Sequence, residues 1–120
     1  MCKRHKQPYK GLYNLVGGKI EPGEDSLSAA YRELKEETSI ADIELVHLMD
    51  FTYYLADDCC LEVYVGKLEQ EISVHGDEKE LAWIDINENF FDMTRFAGEG
   101  NIGHILELIK YNRLFGFPKY

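Results

Sequence analysis

The chain has 120 residues and a formal net charge of −9, from 13 Lys and Arg against 22 Asp and Glu. This length is enough for one domain with its own hydrophobic core and too short for two. The negative charge argues against general binding of DNA or RNA, because affinity for nucleic acid comes largely from basic side chains on phosphates. A small polyphosphate stays compatible with an acidic protein when a metal ion mediates the contact.

Targeting signals are absent from the sequence. No apolar run approaches the roughly 18–20 residues that span a membrane, and no apolar stretch follows the basic amino terminus as in a signal peptide. The chain has three cysteines, an odd count that does not suggest a disulfide framework, and their spacing is not that of metal ligands. They are Cys2, Cys59 and Cys60. We therefore expect a cytoplasmic protein with no disulfide framework and no membrane partner.

The first third of the chain predicts a strand followed by a helix. Residues 11–16 have the pattern of a short strand, and the turn at 21–23 leads into the helix. Either Asp25 or Ser26 can cap that helix, which is predicted to run to about Thr38. Its predicted core stripe consists of Leu27, Ala30, Tyr31 and Leu34.

The rest of the chain predicts a hairpin, a strand and a second helix. Residues 43–55 and 59–68 are rich in β-formers and predict a long hairpin with Asp57 and Asp58 at its tip, and residues 80–85 predict a further strand. Asn101 is a candidate cap for the last helix, whose stripe contains Ile102, Ile105, Leu106, Leu108, Ile109 and Tyr111. The pattern predicts one domain over residues 1–120, of α/β or α+β class with a mixed sheet.

Three carboxylates share one face of the first predicted helix. Glu33, Glu36 and Glu37 stand at i, i+3 and i+4, where side chains are neighbours and like charges repel. A hard divalent cation with oxygen ligands removes this repulsion. A solvated charged face is the alternative interpretation of such a cluster.

The segment from Gly18 to Ile40 resembles the Nudix box of the Nudix hydrolase family. The residues that match this motif at its required offsets are Gly18, Glu24, Arg32, Glu33, Leu34, Glu36, Glu37 and Ile40. Ser39 replaces the family's glycine at a left-handed helix end, where a residue with a Cβ costs about 1–2 kcal/mol. The resemblance implies an α/β/α sandwich around a mixed sheet and hydrolysis of a nucleoside diphosphate linked to another group.

The resemblance also implies a Mg²⁺ cofactor, with Mn²⁺ as the alternative. By analogy, Glu36 and Glu37 ligate the metal together with the carbonyl of Gly17, and Glu33 binds metal or helps to activate the attacking water. Arg32 would orient the carboxylates through charge-assisted hydrogen bonds.

Two further positions complete the box on the same analogy. Glu24 would join the loop to the helix or bind a metal through water. Lys19 would add a positive charge near the phosphates, and a solvated loop lysine is the alternative for that position.

Substrate recognition is predicted from positions outside the box. Some family members use an acidic residue before a late strand as a further metal ligand, and the matching position is Asp77, with Glu78 and Glu80 as alternatives. In the branch that cleaves oxidised guanine nucleotides, an Asn that opens the last helix binds the purine edge, and Asn101 occupies that place. An ordinary N-cap is the alternative for Asn101.

Aromatic side chains are candidates for stacking on the base. Phe96, next to the last helix, is the first of them, followed by Tyr13 and Tyr53, and core or hairpin packing is the alternative for each. The resemblance thus implies hydrolysis of nucleoside triphosphates, in particular oxidised purines such as 8-oxo-dGTP, to a monophosphate and pyrophosphate.

Several alternatives stay open at the level of sequence. Another nucleoside diphosphate derivative, such as a dinucleoside polyphosphate or a nucleotide sugar, is the alternative substrate. A Nudix module that binds nucleotides without cleaving them is the non-enzymatic alternative. The expected partner is a small nucleotide rather than a nucleic acid polymer, in a monomer or homodimer. Lys3 and Arg4 resemble the basic pair that ends the family's first strand, so roughly 15–20 residues of a usual domain are expected to be missing before it.

Overall fold

The computed structural model describes residues 1–54, 59–70, 72–74, 80–112 and 114. The chain forms two compact units, one of residues 1–16 with 76–120 and one of residues 17–75. In chain order the elements are β1 (Cys2–Lys3), β2 (Tyr13–Asn14), α1 (Ser26–Thr38), β3 (Val46–Tyr53), β4 (Cys59–Val65), β5 (Glu80–Leu81) and α2 (Asn101–Tyr111).

The unit that contains both ends of the chain is built on a small antiparallel sheet. Strand β1 lies in its centre, between β2 and β5, with Cys2 opposite Asn14 and Leu81. An isolated parallel bridge joins Tyr13 to Phe96 and so ties β2 to the segment before α2. The core of this unit consists of Phe90, Phe96 and Ile102, with Met1, Tyr13, Ile84 and Leu106 packed against them.

The unit of residues 17–75 combines α1 with the β3–β4 hairpin. The hairpin pairs Val46 with Val65 and ends at Tyr53 opposite Cys59, with a register shift between His47 and Met49. Helix α1 contacts β4, and the Ser26 hydroxyl lies 2.8 Å from the Tyr64 hydroxyl. The first residue of α1 therefore lies beside the hairpin.

The α+β class, both helices and the long hairpin are confirmed by these elements. The predicted strands around Tyr13 and Glu80 are correct in place but only two residues long. The helix stripes differ in outcome. Ile102, Ile105 and Ile109 of α2 are buried as predicted, but Leu27 in the first turn of α1 is 41% exposed, and Ala29 is buried there instead.

Lys3 is the second residue of the two-residue strand β1, which lies in the centre of the small sheet. The hairpin tip at Asp57 and Asp58 lies outside the described residues. Within the part of the chain that the structure describes, no helix has the length and apolar character of a membrane span.

Candidate active site

The ends of α1 are defined by local hydrogen bonds. Asp25 is the N-cap, and its carboxylate accepts from the Ser28 amide at 2.8 Å and the Ser28 hydroxyl at 3.0 Å. These bonds hold the pKa of Asp25 below its usual range. At the other end Ser39 has φ 68°, and its amide donates to the Lys35 carbonyl. The left-handed conformation predicted for Ser39 is confirmed, and the helix ends without the motif's glycine.

Arg32 joins the loop before α1 to the carboxylates of the helix. Its Nε and Nη2 donate to the two oxygens of Glu24 at 2.7 and 2.9 Å, which is a bidentate pair. Its Nη1 donates to Glu33 Oε1 at 2.8 Å and to Glu36 Oε2 at 3.2 Å. Nη2 also donates to the Lys19 carbonyl at 3.0 Å. The guanidinium thus orients the carboxylates of Glu33 and Glu36.

The Arg32–Glu24 pair keeps both groups ionised at neutral pH. Hydrogen bonds from Arg32 and from the Glu21 amide lower the pKa of Glu24 to about 2. Hydrogen bonds to the carboxylates of Glu24 and Glu33 in turn raise the pKa of Arg32. The Glu24 side chain is 17% exposed and the Arg32 side chain is 23% exposed. A partly desolvated bidentate pair stabilises local geometry more than an exposed ion pair does. Glu24 therefore joins the loop to the helix, as its position in the motif implies.

Gly18 and Glu33 approach each other closely. A Cβ at residue 18 would overlap the Glu33 carboxylate, so a larger residue there would displace this carboxylate from its present position. The Glu33 side chain is 16% exposed and lies between the loop backbone and Arg32. This close approach is a physical reason for the glycine at the start of the motif.

Gly17 contacts Glu37 through its amide. The Gly17 N–H donates to Glu37 Oε2 at 2.8 Å, which joins the same loop to the last turn of α1. The resemblance to the Nudix box assigns the Gly17 carbonyl, rather than its amide, as a metal ligand. That role of the carbonyl stays a prediction.

This face of α1 fits a hard divalent cation by its chemistry and packing. Arg32 contacts one oxygen of Glu33 and one of Glu36, so the second oxygen of each carboxylate lies outside the guanidinium contact. Carboxylate oxygens are the ligands that Mg²⁺ and Mn²⁺ prefer. Glu33, Glu36 and Glu37 are the residues that would hold such an ion.

Lys19 and the candidate loop acids are the remaining residues that the sequence places near the phosphates and the metal. Lys19 is exposed, and its carbonyl rather than its side chain contacts Arg32. Asp77 and Glu78 lie outside the described residues, and Glu80 is an exposed residue at the start of β5. The identity of a loop acid that assists the box stays a prediction.

Asn101 is the first residue of α2, and the cap alternative for it is wrong. The N-cap is Gly100, in the left-handed conformation, and no side chain caps the helix. The Asn101 Oδ1 is buried, and no donor among the described residues lies within hydrogen-bonding distance of it. Burying an amide oxygen without a partner costs about 1–3 kcal/mol, so this atom has hydrogen-bonding capacity that the described residues do not use.

Phe96 lies in the hydrophobic core rather than on a surface. It is 1% exposed and packs against Phe90 with ring centroids 4.9 Å apart, and the Arg95 guanidinium lies over its ring at 5.1 Å. This placement agrees with core packing, the alternative to base stacking. The burial of Phe96 depends on partners distant in sequence, such as Tyr13, to which an isolated bridge joins it, so periodicity does not reveal it.

A group of ligand-type side chains on the hairpin was not predicted. The ligand atoms of His47, Asp50 and Glu62 lie within 4.8 Å of one another. The register shift after His47 alters the strand's alternation, which sequence periodicity does not reveal. His47 Nε2 lies 2.6 Å from Asp50 Oδ1, and this exposed pair accounts for the proximity of the two side chains.

Comparisons with known proteins agree with the box. A family profile described as NUDIX domain matches residues 1–104. An RNA pyrophosphohydrolase of Pelagibacter ubique is 33% identical over 105 residues, which covers 71% of this chain and 66% of that protein. An ADP-ribose pyrophosphatase of Methanocaldococcus jannaschii is 45% identical over 40 residues, which covers 33% of this chain and 24% of that protein. The chain therefore spans just under two thirds of the first relative.

Proposed function

Because the chain belongs to the NUDIX family, we propose that it is a hydrolase of phosphoric anhydride bonds in nucleoside diphosphate derivatives. The proposal includes a requirement for Mg²⁺, with Mn²⁺ as the alternative cation. The observation that carries it is the arrangement of Glu33 and Glu36 around Arg32, with Gly18 packed against Glu33. A solvated acidic face has no need of these contacts, because its side chains extend into water.

The reaction is the addition of water across a phosphoric anhydride. The water oxygen forms a bond to one phosphorus while the bond between that phosphorus and the bridging oxygen breaks. The other phosphate leaves with the bridging oxygen, one proton of the water goes to a base, and the other is exchanged with solvent. When bound, a divalent cation neutralises phosphate charge and lowers the pKa of a ligated water. Glu33 is our candidate for the base that accepts the proton, and Arg32 orients its carboxylate.

Within this class, we assign the chain to nucleoside triphosphates with an oxidised purine base, such as 8-oxo-dGTP. The products are a nucleoside monophosphate and pyrophosphate. Support comes from Asn101, whose buried Oδ1 has no partner among the described residues and is a hydrogen-bond acceptor for a donor on a base edge. An amide oxygen that neither caps α2 nor has a hydrogen-bond partner among the described residues suits a ligand contact better than a structural one.

A second candidate substrate is the triphosphate at the 5′ end of an RNA. The RNA pyrophosphohydrolase of Pelagibacter ubique, which aligns with most of this chain, favours it. The net charge of −9 opposes it, because an RNA polymer needs basic side chains along its backbone. A small nucleotide is therefore the partner that we propose first, and the protein is a monomer or homodimer.

Steady-state turnover with Mg²⁺ tests the proposal. Release of pyrophosphate is followed for 8-oxo-dGTP, dGTP and 5′-triphosphorylated RNA in separate assays. Turnover of ADP-ribose, which yields AMP and ribose 5-phosphate rather than pyrophosphate, is followed by the release of AMP. A higher kcat/KM for 8-oxo-dGTP than for dGTP supports the assignment. Equal turnover of the two retains the hydrolase and removes the base preference, and turnover of RNA alone favours the second candidate.

The non-catalytic alternative has its own signature. A binding module would bind 8-oxo-dGTP in calorimetry with no turnover of any of these compounds in Mg²⁺ or Mn²⁺. Chelation with EDTA is the matched control, because it abolishes turnover by a metal-dependent hydrolase.

A further inference from the structure

The turn before α2 has an unusual backbone. Gly98, Glu99 and Gly100 are consecutive residues with positive φ, at 86°, 50° and 88°. Glycine adopts this conformation readily, but a residue with a Cβ does not. Glu99 therefore occupies a place in the turn that favours glycine, and a side-chain contact is needed to explain glutamate there.

The Glu99 carboxylate has such a contact. The Tyr9 hydroxyl lies 2.8 Å from Glu99 Oε1 and 2.6 Å from Oε2, across 90 residues of sequence. Tyr9 also has a positive φ, at 70°. A hydroxyl that donates to a carboxylate makes one of the stronger hydrogen bonds in proteins. The two residues thus hold their segments together from two strained backbone positions.

The turn that Glu99 anchors lies directly on the Asn101 side chain. A Cβ at Gly98 would overlap the Asn101 amide, and the Asn101 N–H donates to the Gly98 carbonyl at 3.0 Å. The Ala97 amide in turn donates to the Tyr13 carbonyl, which fixes the start of the turn to β2. A displacement of the turn therefore moves the amide whose oxygen has no partner.

We propose that the Tyr9–Glu99 contact is a latch that positions Asn101, which makes Tyr9 and Glu99 specificity-determining residues of the enzyme. The inference rests on the proposed function, since it takes Asn101 as the residue that contacts the base. Neither Tyr9 nor Glu99 touches the substrate. Each acts through the turn, and the acidic face of α1 does not depend on them.

The test compares three variants of the whole chain. Tyr9→Phe removes only the hydroxyl, Glu99→Ala removes the acceptor, and Glu99→Gln keeps an oxygen that can accept from Tyr9. Tyr54→Phe is the matched control, because Tyr54 is 82% exposed. For each protein, kcat and KM are measured with 8-oxo-dGTP and dGTP. The ¹⁵N-labelled chain also gives the Asn101 side-chain amide resonance without nucleotide.

The latch predicts a change in KM rather than in kcat. Tyr9→Phe and Glu99→Ala should raise KM for 8-oxo-dGTP about tenfold, change kcat less than about twofold, and shift the Asn101 resonance. Glu99→Gln should keep most of the selectivity for 8-oxo-dGTP over dGTP, because its side-chain oxygen can still accept from Tyr9, and Tyr54→Phe should match the wild type. A purely structural role of Tyr9 would instead lower the thermal midpoint and leave the ratio of the two KM values unchanged.

Asn101→Ala, measured in parallel, separates the latch from the proposed function. If Asn101→Ala lowers selectivity and Tyr9→Phe does not, the latch is overturned. If Asn101→Ala has no effect on selectivity, base contact by Asn101 is wrong, and a shifted Asn101 resonance in Tyr9→Phe still supports the latch. Where neither nucleotide is turned over, the resonance alone decides: a shift supports the latch and an unchanged resonance overturns it.

Discussion

Helices α1 and α2 begin in opposite ways. The Asp25 side chain caps α1 and accepts two hydrogen bonds from Ser28, whereas α2 begins after Gly100, which has no side chain to offer. At the start of α2 the Asn101 oxygen is buried and has no partner among the described residues. A helix start whose polar groups are satisfied internally is structural, and one with an unused buried acceptor is suited to a ligand.

The two helices also differ in the polar side chains that they carry. Helix α1 carries its carboxylates on one face, where Arg32 and the loop backbone orient them. Helix α2 instead buries an apolar face, formed by Ile102, Gly103, Ile105 and Ile109. The polar side chain at its start is Asn101, whose Oδ1 is buried. We therefore assign the reaction chemistry to α1 and base recognition to α2. The predictions below test that division.

The largest effect is expected from the acidic face of α1. Glu36→Gln and Glu37→Gln should each lower kcat at least about 100-fold, because a bound metal supplies several kcal/mol of transition-state stabilisation. Glutamine keeps the shape of the side chain and removes the charge. Glu44→Gln, at an exposed position outside the box, is the matched control. Near-normal kcat in both variants would contradict the assignment of the metal ligands.

Asn101 should affect selectivity without affecting stability. Asn101→Leu is expected to reduce the preference for 8-oxo-dGTP over dGTP about tenfold, which is the discrimination of one hydrogen-bonded contact. Its free energy of unfolding should stay within about 0.5 kcal/mol of the wild type or rise, since the Asn101 Oδ1 has no hydrogen-bond partner to lose among the described residues. Urea denaturation measures this, and a loss of 2 kcal/mol would show that Asn101 has a structural partner.

Asp25 should have the opposite profile. Asp25→Ala is expected to destabilise the protein by about 1 kcal/mol, because the Ser28 amide loses its acceptor. Asp25→Ser should recover most of this loss, since serine is also a good N-cap. The same urea experiment compares the two variants. A stability loss for Asn101→Leu that equals the loss for Asp25→Ala would remove the contrast between the helix starts.

The smallest effect is expected in acid. The pKa of Glu24 is about 2 in the folded protein, against an ordinary value of 4.5 for a glutamate carboxyl that lacks these contacts. The stabilisation from its pairing with Arg32 is therefore complete above about pH 4.5 and is lost as the pH falls toward 2. The difference in Tm between wild type and Glu24→Gln should stay constant from neutral pH to about 4.5 and shrink below it. A constant difference down to pH 2 would show that the pairing is not electrostatic.

Much of the site was predictable because the box is local in sequence. Helical spacing puts Glu33, Glu36 and Glu37 on one face, and this depends on nothing outside α1. The left-handed Ser39 follows equally from its position after the last helical residue. The role of Phe96 was not predictable, since its burial depends on partners such as Tyr13, far away in the chain.

The amino-acid sequence by itself determined the helices, the hairpin and the acidic face of α1, since these follow from periodicity and from contacts within a few residues. Tertiary structure alone decided that Arg32 orients the carboxylates, that Gly18 makes room for Glu33, and that Asn101 does not cap α2. Each of these depends on the path of the backbone in three dimensions, which spacing in a sequence does not define. The same holds for Tyr9 and Glu99, whose contact closes 90 residues of chain.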